Sequence, residues 1–136
     1  MKLLSIVVLS ILACAAGCGG SGGQVGVVGT VSFNGKPVER GTVTLHPIQD
    51  TVGPMVGGVI ENGAYEIPAE KGPVVGGVYR VRIVGSKKTG QMQSDRDRPN
   101  ATTEVYVSVI PAEFNSKSKL EAVITNDRPN RLDYAL

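Results

Sequence analysis

Residues 78–84 alternate apolar and polar side chains. Tyr79, Val81 and Ile83 fall on one face, Arg80 and Arg82 on the other. A period of two predicts a half-buried strand with a wet outer face. The same pattern recurs through the chain. In Val25 to Phe33, the positions Val25, Val27, Gly29, Val31 and Phe33 oppose Val28, Thr30 and Ser32. In Gly41 to Pro47, Val43 and Leu45 point inward while Thr42, Thr44 and His46 point outward. Val56–Ile60 and Ala64–Ile67 flank Asn62-Gly63, a pair that suits the positive φ of a tight primed hairpin turn. Pro68 stops the second of these strands. Glu104–Ile110, Leu120–Thr125 and Arg131–Leu136 complete the series, with Leu132, Tyr134 and Leu136 on one face.

The segments between strands carry turn chemistry. Asn34-Gly35-Lys36-Pro37 is a turn in which Pro37 ends the ladder, and Asp50–Pro54 is a loop. Lys71-Gly72-Pro73 and Gly76-Gly77 bracket another crossing. Lys87 to Thr103 shows neither apolar period and carries opposed charges, which predicts a long mobile loop. Pro111–Ser118 reads as a compact crossing in which Asn115 and Ser118 bond nearby backbone groups, and Asn126–Asn130 turns the chain. Beyond the first residues no stretch has the period of an ordinary helix. The expected fold class is all-β, an antiparallel seven- to eight-stranded sandwich with Greek-key connections. With no tryptophan and no spare cysteine pair, the antibody-type immunoglobulin signature is absent.

The N-terminus follows a different rule. Met1-Lys2 precedes an apolar run from Leu3 to Ala16 that is short for a membrane span, and it ends Ala15-Ala16-Gly17-Cys18. This predicts a lipoprotein signal peptide over residues 1–17, with Cys18 lipidated on its thiol. Cys14, after Ile11-Leu12-Ala13, is the alternative, but leucine before the small residue fits less well. Residues 18–24 form a Gly/Ser tether, leaving 25–136 for the sandwich. Cleavage before Cys18 discards Cys14, so no disulfide framework is expected and the fold must rest on its apolar core.

Charge narrows the partners. The chain has 14 basic and 12 acidic residues, and Lys2 leaves with the signal, so the mature balance is near neutral. Neither the basic footprint of a nucleic-acid binder nor a polybasic grip on lipid is present. The expected partners are the membrane, through the N-terminal lipid anchor, and an envelope protein or polysaccharide. The expected location is the cell envelope on its extracytoplasmic side. Gly19 is not the acidic residue that retains some lipoproteins at the inner membrane, and the choice of membrane stays open.

Val28-Gly29-Thr30-Val31-Ser32-Phe33-Asn34-Gly35-Lys36-Pro37-Val38, then Gly41-Thr42-Val43, Gly63-Ala64-Tyr65 and Gly77-Val78-Tyr79-Arg80-Val81, resemble the carboxypeptidase regulatory-like domains. Pro111 through Leu120 is similar to the crossing that precedes the last two strands in those proteins. The resemblance spans the mature chain and is closest to small bacterial lipoproteins built from one such domain. It implies a transthyretin-like (prealbumin-like) sandwich and an extracytoplasmic position. It implies no activity and supplies no catalytic residue; in carboxypeptidases the equivalent module contributes no zinc ligands.

Few side chains suggest chemistry. His46 is a candidate ligand or base, but it stands on an outer face beside a proline with no second imidazole. Asp95, Asp97 and Asn100 loosely echo a calcium loop, without its glycine or closing glutamate and with Arg96 and Arg98 interleaved. Ser21, Ser86 and Ser94 have no His/Asp partner pattern. Asn100-Ala101-Thr102 is a chance glycosylation sequon in a bacterial envelope. Of the four tyrosines, Tyr79 and Tyr134 alternate inward, leaving Tyr65 and Tyr106 as candidate ligand contacts able to stack on a sugar. No catalytic, metal or cofactor site is expected. The reading favoured is a non-enzymatic envelope lipoprotein; the alternative is a carbohydrate-binding module using an exposed tyrosine and the 87–103 segment.

Overall fold

The computed structural model describes residues 23–136. The predicted signal peptide, Cys14, Cys18, Ser21 and most of the tether lie outside the described residues. The architecture is all-β, an antiparallel sheet curled into a sandwich. The strands are β1 (Val27–Phe33), β2 (Lys36–Pro37), β3 (Arg40–Ile48), β4 (Val56–Glu61), β5 (Ala64–Ile67), β6 (Val78–Ser94), β7 (Thr102–Ser108), β8 (Glu121–Val123), β9 (Asn130–Arg131) and β10 (Tyr134–Ala135). Four consist of two or three residues each, namely β2, β8, β9 and β10. The helical pieces among the described residues are the 3₁₀ turns Ala69–Lys71 and Ala112–Phe114.

Hydrogen-bonded neighbours run β10-β1-β5-β4-β3-β6-β7, with β2 and β9 also on β1 and β8 also on β6. The sheet turns back on itself at the β4–β5 hairpin, where only Ile60↔Tyr65 and Glu61↔Ala64 pair. Asn62 (φ 50°) and Gly63 (φ 80°) make that turn in the left-handed region, as the sequence predicts. The inward faces meet in one core. Val27, Val31 and Ile67 come from one half, and Val43, Leu45, Ile60, Tyr79, Val81 and Ile83 from the other. Ile124 and Ile110 pack into the same core from the connections.

β6 is the spine. One edge pairs with β3 from Val78↔Ile48 to Ser86↔Arg40. The other edge takes β8 over Val78–Arg80 and β7 from Ser86 onward. Between those partners, Val81 N–H donates to the Leu120 carbonyl at 2.8 Å and Val109 N–H to the Gly85 carbonyl at 3.0 Å.

Three expectations are corrected. Residues 87–103 are not a long loop: β6 continues to Ser94 and β7 begins at Thr102, so only 95–101 turn the chain. The pattern hid these strands because every residue of 87–94 is exposed, so both faces are wet and no apolar period is needed. The last segment is not antiparallel: β9 and β10 lie parallel to β1, through Val27↔Asn130 and Val31↔Tyr134. Pro37 does not end the β1 ladder on arrival, because Ser32↔Pro37 pair before the chain leaves. Its missing N–H is followed by that of Val38, which donates to the Val31 carbonyl at 3.1 Å.

Close approach explains Gly29. A methyl at that position would drive into the Leu132 carbonyl, while the Tyr65 ring stands 2.9 Å away. Only a residue without Cβ lets the C-terminal segment lie this near to β1.

Candidate functional site

Beyond Ser86, β3 no longer accompanies β6. Residues 87–94 and their partners on β7 therefore leave the body as a two-stranded arm. Eight residues at strand rise carry it roughly 25 Å. The ladder shifts register between Lys88 and Met92, around Gly90. At the tip the Asp95 N–H donates to the Ala101 carbonyl at 2.8 Å, closing the ribbon.

A cleft of about 750 Å³ opens where the arm meets the body, lined by Glu39, Arg40, Val59, Glu61, Asn62, Lys88 and Tyr106. Register puts these groups together: Arg40 lies opposite Glu61 on β4, and Lys88 opposite Tyr106 on β7. The Arg40 guanidinium sits over the Tyr106 ring, 5.4 Å from its centre, within cation–π range. Lys88 Nζ pairs with Glu104 Oε2 at 2.9 Å. The Tyr106 hydroxyl donates to the same oxygen at 3.3 Å. The Lys88 backbone N–H donates to Glu39 Oε2 at 3.2 Å, tying the arm to the β2–β3 corner. The side-chain hydrogen bond between Lys88 and Glu104 holds the Lys88 ammonium above its ordinary range and the Glu104 carboxyl below its own. The cleft thus offers an aromatic ring, two cations, two carboxylates besides Glu104 and an amide. That mixture suits a polyhydroxylated or zwitterionic surface better than an apolar ligand.

The other sequence candidates are placed elsewhere. Tyr65 is corrected: it is 5% exposed, and its hydroxyl donates to the Leu132 carbonyl at 2.6 Å, so it braces the C-terminal segment and its ring is not free to stack. Burial, with Tyr134 and Asp133 adding to it, raises the ionisation of that hydroxyl far above the ordinary tyrosine value. Tyr79 is fully buried and its hydroxyl accepts from the Val74 N–H at 3.0 Å. Tyr134 is half-buried, and burial pushes its hydroxyl up to about 12. His46 faces outward opposite Arg80; burial first and Arg82 second lower its pKa, and the Arg82 charge opposes a metal cation there.

Asp95 does not form a cation loop. Its Oδ1 accepts from the Asp97 N–H at 2.9 Å and its Oδ2 from Arg98 Nε at 3.2 Å, the geometry of an Asx turn at the arm tip. Asn100 is exposed in the same turn. Among the described residues no group of three or more His, Cys, Asp or Glu side chains could hold a metal ion. Ser86 and Ser94 sit in the β6–β7 ladder opposite Ser108 and Thr102. Arg40, Glu39, Lys88 and Glu104 were not singled out by sequence. The one available signal was the alternation in Glu104-Val105-Tyr106-Val107, which demands a partner strand that 87–94 supplies.

Compared with protein-family models, curated proteins and solved structures, the chain matches none.

Proposed function

We propose that this chain is a non-enzymatic lipoprotein of the bacterial cell envelope, a β-sandwich of carboxypeptidase regulatory-like type held to the membrane through Cys18. The observation that carries this reading is the apolar run from Leu3 that ends Ala15-Ala16-Gly17-Cys18, a few residues before β1 begins. Its support from the body is that two of the candidate side chains, Tyr65 and Asp95, are engaged in holding the C-terminal segment and the arm-tip turn together. The arm and the cleft at its base are where a partner would meet the domain. Radiolabelled palmitate is expected to enter the wild-type protein and not the Cys18→Ala form. Equal labelling of the two would remove the anchor.

A second reading rests on Tyr106. Its ring lies in a cleft that also presents Arg40, Glu61 and Asn62, a donor and acceptor set suited to the hydroxyls of an envelope polysaccharide. This reading expects glycan-array binding that Tyr106→Ala abolishes. An array without hits would dispose of it.

A further inference from the structure

We infer that the loop over residues 49–55 is the face of the domain that rests on the lipid surface, an inference that depends on the Cys18 anchor proposed above. The first observation is where the tether arrives. Gln24 pairs with Val74, the Val75 N–H donates to the Gly23 carbonyl at 3.1 Å, and the Val25 N–H donates to the Pro73 carbonyl at 3.0 Å. Gln24 Nε2 adds a bond to the Gly72 carbonyl at 3.0 Å. The loop lies beside this stitched segment, and Gly23, Gln24, Val52 and Gly53 line one cleft.

Chain length then sets the distance to the bilayer. Five residue steps separate Gly23 from Cys18, a reach of at most about 18 Å even when fully extended. A Cys18 thiol acylated into the membrane therefore keeps this end of the sandwich against the headgroups. The arm leaves from the other end, past the full length of β3, roughly 30 Å away.

The loop has the right surface for that contact. Val52 is 92% exposed and Met55 61%. Asp50 is the only charged residue in 47–60, and 72–79 has none. The cleft end, by contrast, carries Glu39, Arg40, Glu61, Lys88 and Glu104, groups that are costly to desolvate. The loop is also braced. Thr51 Oγ1 accepts from the Val78 N–H at 2.9 Å and donates to the Val78 carbonyl at 3.1 Å, and Gln49 (φ 52°) and Asp50 (φ 60°) make a tight left-handed corner before it. A tip fixed in advance loses little freedom on meeting the interface.

The chain contains no tryptophan, so single reporters are clean. Lipidated full-length protein carrying Val52→Trp is reconstituted into phosphatidylethanolamine/phosphatidylglycerol vesicles with or without brominated acyl chains, alongside Met92→Trp in the arm. Met55→Trp is a second loop reporter should Val52→Trp fail to give the wild-type unfolding midpoint. Seating of the loop at the headgroup–acyl boundary predicts that bromination quenches the loop tryptophan by about half and leaves the arm tryptophan unchanged. Protein that floats with the vesicles yet shows equal or no quenching at both positions overturns the inference and leaves the anchor standing. Lipid-free protein that shields the loop tryptophan as its own concentration rises assigns the loop to a second copy, which also overturns it. Wild-type protein that fails to float sinks the anchor, and this inference falls with it.

Discussion

The two halves of β6 belong to one strand but differ in their partners and in their exposure to water. From Val78 to Ser86 the strand is flanked on both edges, and Tyr79, Val81 and Ile83 are sealed in the core. From Lys87 to Ser94 it has a single partner, and every residue is exposed. The first half is fixed by packing, which is why its alternation is strict. The second is held by backbone bonds, an ion pair and a few side-chain bridges. A two-stranded ribbon of that kind is marginal by itself, so the anchoring of its base by Glu39 and by the Arg40–Tyr106 contact is what gives it a direction.

The largest expected effect lies in the buried half. Tyr79→Ala is expected to cost about 3–5 kcal/mol in denaturant unfolding, whereas Met92→Ala, 57% exposed in the arm, should stay within about 0.5 kcal/mol. Comparable losses would mean that the arm belongs to the cooperative core. Ser118→Ala comes next. Ser118 is 6% exposed; its hydroxyl donates to the Val81 carbonyl on β6 and accepts from the Leu120 N–H at 3.2 Å. Removing it should cost about 1–3 kcal/mol by leaving those groups unpaired.

A smaller effect is expected from acid. The His46 pKa in the folded protein lies below its ordinary 6.5. The unfolded chain therefore binds the proton more readily between those two values. The stability linked to this group is complete above about 6.5 and is lost as pH falls through the folded value. His46→Gln should flatten that part of a pH–stability curve, and an unchanged slope would refute the assignment. The smallest expected effect concerns the arm. Lys88→Met removes the pair with Glu104, and should speed amide hydrogen exchange in 89–94 without moving the global unfolding midpoint. A shift of the midpoint would erase the distinction between the halves of β6.

What was legible in the sequence follows the same division. The inward residues of β1, β3 and β6 were read correctly, because a core on one face forces a period of two. The Asn62-Gly63 turn was legible because few residue pairs accept its dihedral angles. The arm was missed because a ribbon wet on both sides has no apolar stripe to display. Tyr65 was misjudged because its neighbour is Leu132, 67 residues away, and local spacing carries no sign of such a contact. Ser118 was expected to bond locally and does so with Leu120, but its second partner lies 37 residues back. The cleft at the arm base joins residues from β3, β4, β6 and β7, so only the register of the whole sheet brings Glu61, Arg40, Lys88 and Tyr106 to one place.

The parallel seating of β9 and β10 on β1 sets the order in which the body can assemble. Thr30 N–H donates to Asp133 Oδ1 at 2.8 Å across 103 residues of chain, and the Leu132 and Leu136 N–H groups donate to the Val28 and Ser32 carbonyls. During stepwise emergence from a ribosome, β1 must wait for almost everything behind it before that edge is covered. Closing so long a loop is slow. Until then an apolar first strand with an open edge is exposed to whatever holdase or neighbouring chain meets it.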